Sequence, residues 1–540
     1  MERVGTFTRR VGLALLVVTL VATGCGGSDD DGGGAGGSGS GGESAADPTS
    51  GECTEERVGG QVTMGTLTHT AGLDPVVSRG TGTAGGIEAI ALYDTLVRYD
   101  VESDDYVPQV AESLESNADF TEWTLTLPEG AVFGNGDPLT AEAVRTSFAR
   151  HQDPAHQSTQ FLASQVVTEM EAVDERTLVF RLDGPWARFP FLLANLPGMV
   201  TNPAVVDERG DDFNTDPTGA GVGPYEVERY VPGDELVLRA KDDWWGGPVC
   251  IEELRFITVP GAEGTYDAFQ AGEIQAAFLR DPTVVAQARE DGVAAFSTIQ
   301  GAGAIYMFNH ETGPLADPVV REALTLAIDP EVINERAWEG QARTGTALID
   351  EDSVLYDGQE GPQPDPERAA ELVEEAKAGG WDGELTLLCP SEPGSEDVCL
   401  AFKAMADAAG MNVTLDSKRI DDIIQQVLYD RNFEVAQFGM NLPDADPWLR
   451  LSSFLGTGSF VNSGGYSDPD MDAAIEALRS APDLAGRQEA LADIQAVWNE
   501  TFPNLSYAAV EEVVVLDDSL RGMQFSQDSQ VYFGAAYLEE

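Results

Sequence analysis

Basic residues are scarce in this chain: 31 Lys and Arg stand against 93 Asp and Glu, a formal charge of −62 over 540 residues. Neutralising a nucleic-acid backbone needs clustered Lys and Arg, and no such run exists, so a nucleic-acid partner is excluded. Histidine is scarcer still. His69, His151, His156 and His310 are scattered with no HxxxH spacing, and no CxxC is present, so no metal site and no cofactor are expected. HExxH and GxSxG are absent as well, which leaves no zincin helix and no serine-hydrolase elbow. A glycosidase-type carboxylate pair is defined by its separation in space and is not visible in a sequence. Beyond residue 22 the chain has no apolar run of the ~20 residues that a membrane-spanning helix needs.

The apolar run that does occur, at residues 11–22, is too short to span. Arg9 and Arg10 precede it and Thr23-Gly24-Cys25 closes it, which reads as an export signal ending in a lipobox, with cleavage before Cys25 and lipidation of its thiol. Residues 26–52 are glycine, serine and acid without apolar periodicity, a coil that reaches ~30 Å. The expected start is therefore a leader at 1–24 and a lipid-anchored linker at 25–57, holding the folded part outside the cytoplasm against the cell membrane. The chain beyond this linker is longer than the ~250–300 residues at which one core stops growing, so two or three domains are expected. Hydrophobic content of 42% marks it as folded in spite of the charge. That charge confers solubility and is screened over ~10 Å, so it says little about a buried pocket.

Four cysteines remain after Cys25, consistent with an oxidising compartment. Pro390, Pro393 and Gly394 make a turn-rich excursion between Cys389 and Cys399, which are read as one disulfide, leaving Cys53 to pair with Cys250. Four cysteines allow three connectivities, and zinc is the alternative use of such residues.

From residue 58 onward strands alternate with helices. Residues 61–67 read as a strand, followed by a Gly- and Thr-rich turn at 80–86 and a helical run through Ile87, Ala91 and Leu96. Trp123, Leu125 and Leu127 alternate with threonines as a half-buried strand, and Thr140 is placed to cap the helix carrying Val144 and Phe148. Further strands are read at 225–229, 235–239 and 254–259. Asp365-Pro366 and Asp468-Pro469 open helices whose buried sides are Leu372, Val373 and Ala376 in one and Met471, Ile475 and Leu478 in the other; Leu491, Ile494, Val497 and Trp498 line a third.

Several stretches carry a family resemblance together that none carries alone. They are Pro108-Gln109-Val110-Ala111-Glu112-Ser113-Leu114, Trp123 through Leu127, Val132-Phe133 through Glu142, Gly223-Pro224-Tyr225, Trp244-Trp245-Gly246-Gly247-Pro248, Ala271-Gly272-Glu273-Ile274, and Asn309 with Pro314-Leu315-Ala316-Asp317 and Val320-Arg321-Glu322-Ala323-Leu324. In these the chain resembles the family 5 extracellular solute-binding proteins of bacterial ABC importers, the group of oligopeptide- and dipeptide-binding proteins. The resemblance implies an α/β, two-lobed periplasmic-binding-protein clamp, type II-like, of the large class with an extra domain. It places the first lobe at 58–93, 218–298 and 505–540, the extra domain at 94–217 and the second lobe at 299–504, with hinge crossings near 300 and 505. It also implies a monomer that is not an enzyme, binds a small-molecule or peptide ligand and works with ABC permease subunits. An oligopeptide is the first ligand class implied and an oligosaccharide the second; a surface sensor or a hydrolase stands further off.

In that family a carboxylate of the second lobe holds a peptide amino terminus. Aligned on Gly439 and the Asp446-Pro447 pair, that position falls on Pro443, and Asp444 one residue on is the candidate, with a turn cap as its other reading. Met440 is read as an adaptable apolar wall and Asn441 as a polar contact. Arg419 and Arg431 are candidates for a ligand carboxylate. Thr81, Gly82 and Thr83 belong to a loop that faces the cleft in the family reading. Trp244, Trp245, Met307, Phe308 and Trp338 are read as core.

Overall fold

The computed structural model describes residues 48–78, 80, 82, 85–391 and 394–539. Cys25, Thr81 and Thr83, and with them the anchor and part of the cleft loop, lie outside the described residues.

Local signals build the elements. Thr140 accepts from the Ala143 amide and starts Ala141–Gln152; Asp365 accepts from the Arg368 amide and starts Pro366–Ala378. Asp468 caps Pro469–Ser480 and Asp483 caps Leu484–Thr501. Each side chain satisfies an amide that the first helical turn leaves without a partner, and Pro at the first position costs nothing there. The apolar positions read from helical spacing are buried, except that Val497 is half-buried; the helix through Ile87 and Ala91 ends at Tyr93, where Asp94 turns to φ 54°, so buried Leu96 lies beyond it.

An 11-stranded sheet runs through the molecule. At one end Gln61–Thr66 pairs in parallel with Glu253–Thr258 and Ala276–Leu279, and Glu235–Ala240 and Tyr225–Val231 continue the edge in antiparallel fashion. At the other end Glu384–Pro390 lies parallel to both Asn412–Lys418 and Val435–Phe438. Two long antiparallel strands, Ala294–Phe308 and Asn504–Leu516, belong to both ends and join them.

Alternation along these strands shows why the sheet is a middle layer. Val514 and Leu516 pack with Met64, Phe256 and Phe525, whereas Val513 and Val515 pack on the other face with Tyr266, Ala277 and Val284. In the second half Tyr306 and Phe308 join Leu324, Leu372 and Phe402, and Ile305 and Met307 join Trp448 and Trp498. Residues 94–217 include a separate four-stranded sheet of Ser113–Ser116, Glu122–Thr126, Val167–Ala172 and Thr177–Leu182. Its core, with Phe148, Phe180 and Trp186, is continuous with that of Met440, Trp448 and Met471.

Both cysteine pairs are bonded, Cys53 to Cys250 and Cys389 to Cys399, with Cα separations of 5.7 and 6.3 Å. Among the described residues no group of three or more His, Cys, Asp or Glu is arranged to hold a metal ion, and no helix is long and apolar enough to cross a membrane.

Candidate functional site

The joining strands are interrupted where they cross between the halves of the sheet. Gln300 faces Val510 and Ala304 faces Ala508, so Gly301, Ala302 and Gly303 together oppose one residue. Such a bulge bends a strand and breaks its ladder. Glycine is needed here for space: a Cβ on Gly301 would stand 2.2 Å from the Leu348 carbonyl oxygen, and one on Gly303 would stand 2.5 Å from the Val510 nitrogen. The freed Ala302 carbonyl accepts from the amides of Met440 and Asn441 at 3.3 Å each, and Leu442–Pro443 pairs with Gly301 and Gln300. The segment that the sequence singled out is thus wrapped around the bulge.

Two cavities meet this crossing. One, of about 300 Å³, takes in Thr298, Gln300, Asp352, Asp444, Gln527 and Asp528, with Tyr99 at its wall. The other, of about 760 Å³, runs from Arg280 and Arg289 to Trp338, Phe438 and Asn441 across Tyr507–Glu511. Their electrostatics differ. Among the described residues the charged ones lining the smaller cavity are acidic, whereas the larger one carries Arg280, Arg289 and Arg343 beside Asp281 and Glu511. Arg289 pairs with Glu511, and Arg343 pairs with Asp350 and Asp352. Arg280, half-buried, forms no hydrogen bond or ion pair among the described residues, and it acts on Glu512 through its longer-range field.

Burial shapes the acids. Asp444 is pushed up to about 6 by desolvation, against hydrogen bonds from the Ser353 hydroxyl and the Val354 amide that pull the other way. Glu512, 5% exposed in a run of valines, is pushed up to about 7 by the same cause; the Gln300 side chain donates to it at 3.2 Å and to Asp528 at 3.2 Å. The turn-capping role belongs to Asp446, whose Oδ1 accepts from the Trp448 amide at 2.9 Å while Oδ2 accepts from the Trp186 indole at 2.7 Å. Asp444 lines the smaller cavity while holding Ser353 and Val354.

The other sequence candidates fall unevenly. Asn441, at φ 56°, lines the larger cavity, and its buried Oδ1 has no donor among the described residues. The Gly82 backbone lies against Asp528, where a Cβ would come within 1.8 Å of the carbonyl oxygen. Met440 is fully buried in the core beneath the loop, not on a cavity wall, because alternation along the segment turns it away from the side Asn441 takes. Arg419 has a side chain 79% exposed beside Asp421, Arg431 is exposed, and neither lines these two cavities: both follow the ends of elements that point to solvent. Trp338 packs half-buried against the core, stacked on Tyr507 with centroids 6.3 Å apart, and also forms a wall of the larger cavity. Met307 and Phe308 are core, and Trp244 and Trp245 form a half-buried turn in which both indoles donate to the Val222 carbonyl at 2.9 Å.

Sequence reasoning did not find Arg280, Gln300, Glu512, Gln527 or Asp528. The available signals were weak: a carboxylate in a run of valines, and the polar cluster Ser526-Gln527-Asp528-Ser529-Gln530 between apolar residues.

Residues 105–462 match the family described as bacterial extracellular solute-binding proteins, family 5 Middle. The chain is 27% identical to Protein XP55 of Streptomyces lividans over 69% of its own length and 70% of that protein's. It is 26% identical to the dipeptide-binding protein of Escherichia coli over 79% and 85%. Among solved structures it is similar to Helicobacter pylori DppA in complex with the peptide STSA, with TM-score 0.74, 20% identity and coverage of 90% of this chain and 99% of that one. It is also similar to Haemophilus influenzae OppA in complex with RPPGFSPFR, with TM-score 0.72, 19% identity and coverage of 89% and 99%. The fold they share with this chain is the two-lobed α/β clamp.

Proposed function

Because this chain belongs to family 5 of the bacterial extracellular solute-binding proteins, we propose that it is the lipid-anchored substrate-binding component of an ABC importer, one that captures an oligopeptide between its lobes and delivers it to a membrane permease. The observation that carries this reading is the pair of cavities at the strand crossing, one bounded by Asp352, Asp444 and Asp528 and the other by Arg280, which has no partner among the described residues. An extended zwitterion matches that polarity: its ammonium meets Asp444, and its carboxylate meets a guanidinium whose fork fits it. Relatives named for dipeptides and oligopeptides support the same class.

The mechanism is grip without bond chemistry. Residues 58–93, 218–298 and 505–540 form one jaw, with 94–217 as the extra domain, and 299–504 form the other. Closure shifts a population by no more than the ligand's difference in affinity between open and closed states. The monomeric clamp hangs from a diacylated Cys25, which raises its effective concentration near the permease.

Native mass spectrometry of the protein as purified, with small-angle scattering before and after ligand addition, tests this. Intact peptide and a smaller radius of gyration on binding are expected. Cleaved peptide, or scattering indifferent to ligand, would overturn the reading.

A further inference from the structure

Gln527 is 3% exposed and lines the smaller cavity, yet neither its Oε1 nor its Nε2 has a hydrogen-bond partner among the described residues. Buried carboxamides ordinarily pair both ends, because a buried group left unpaired keeps its full desolvation cost. The backbone beside it is unusual too. Asp528 and Ser529 hold φ of 50° and 52°, two consecutive non-glycine residues in the left-handed region. Such conformations persist where the surroundings impose them, and they gather at ligand clamps.

The surroundings here come from several segments. Ser529 Oγ lies 3.0 Å from Thr298 Oγ1, Asp528 Oδ1 accepts from Gln300 at 3.2 Å, and the Ser526 hydroxyl donates to the Tyr99 carbonyl at 2.9 Å. Gly82 closes on the turn with no room for a side chain. A turn held this firmly carries, at the wall of the cavity, a side chain without a partner among the described residues.

We propose that Gln527 reads the backbone of the bound peptide, its Oε1 accepting from the N–H of the second ligand residue and its Nε2 donating to that residue's carbonyl, next to the ammonium end. This rests on the peptide reading above and adds a specificity residue to it. A carboxamide offers one acceptor and donors in one plane, the complement of the N–H and C=O that a single extended residue presents on one edge. The neighbouring charges are acidic, so the amide read is the one beside the amino terminus, with the carboxylate end toward Arg280. A site that buries polar groups rejects an analogue unable to pair them far more strongly than an apolar pocket rejects a missing methylene.

The test is calorimetric titration of the whole protein, as wild type, Gln527→Leu and Gln527→Glu, with trialanine and with its analogue whose first amide N–H is replaced by an ester oxygen. Wild type is expected to prefer the amide by ~10-fold or more, and Gln527→Leu to bind the two within about 2-fold. Gln527→Glu keeps the acceptor and the size but loses the donor, and so should retain the preference for amide over ester while binding both more weakly; loss of that preference, or affinity equal to wild type, overturns the inference even if the Leu variant folds poorly. Equal binding of amide and ester by wild type, or an undiminished preference in Gln527→Leu, overturns this inference alone. Failure of wild type to bind trialanine at all overturns the peptide reading and this inference with it.

Discussion

Met440, Asn441 and Asp444 sit within five positions of one another and meet three different surroundings. Met440 is 0% exposed in the core, so Met440→Ala is expected to cost ~2–5 kcal/mol of stability, read by denaturant unfolding, while ligand affinity of the folded protein changes little. Asp444 behaves in the opposite way. Its carboxyl, at about 6, must be ionised to hold an ammonium, so peptide affinity should fall as pH is lowered from 7.5 to 5, and Asp444→Asn should bind at every pH only as the wild type does at low pH. Affinity that is flat across that range would remove Asp444 from the binding role.

At the scale of elements, the two joining strands carry the molecule's continuity and its interruption. Gly301→Ala sets a methyl 2.2 Å from the Leu348 carbonyl oxygen, and backbone cannot yield as a flexible side chain can. A loss of ~1–3 kcal/mol is expected in thermal unfolding, together with altered scattering on ligand addition, because the bulge lies at the crossing. The four-stranded sheet segment is tied to the far half of the large sheet by Trp186, whose ring lies 4.8 Å from that of Trp448 and whose indole donates to Asp446. Around it Arg487 pairs with Asp104, and Arg479 pairs with Asp183. Trp186→Phe keeps an aromatic ring but leaves the buried Asp446 one donor short, so a destabilisation of ~1–3 kcal/mol is expected by denaturant titration.

For the whole molecule the question is how so acidic a chain responds to pH. Among the described residues burial raises five carboxyls, Glu88 and Glu512 to about 7 and Asp94, Asp444 and Asp446 to about 6. A carboxyl raised on folding holds its proton more tightly in the native state, so stability grows as pH falls through the folded value toward the unfolded one near 4. Buried His151 and His310, lowered to about 3 and 4 by desolvation, act oppositely: unfolding lets them protonate, and stability is lost as pH falls below about 6.5. Five carboxyls outweigh two imidazoles between pH 7 and 5, and self-repulsion from the −62 charge eases over the same range. The melting temperature without ligand is therefore expected to rise from pH 8 to about 5 and to fall below about 4, where exposed carboxylates held low by local hydrogen bonds, such as Asp137 and Asp174, also lose their contribution. A scanning-calorimetry series at constant ionic strength checks this.

Helix caps, apolar periodicity, the cysteine loop and the family stretches were legible in the sequence because each depends on residues a few positions apart. Thr140, Asp365 and Asp468 act on amides two or three residues on, and Cys389 meets Cys399 across ten. The same signals foretold the mixed α/β architecture. The cavities at the strand crossing were legible only in part. Asp444 and Asn441 line them, whereas Met440 lies in the core on the other side of its segment and Arg419 and Arg431 are exposed away from both. Only the tertiary structure decided that Gln300 meets Asp528 across 228 positions, that Gln527 is buried without a partner among the described residues and that Arg280 opens onto a cavity without a counter-ion among them. The physical reason is that capping and periodicity are local, whereas the cost of burying a charge or an amide exists only once distant segments have closed around it.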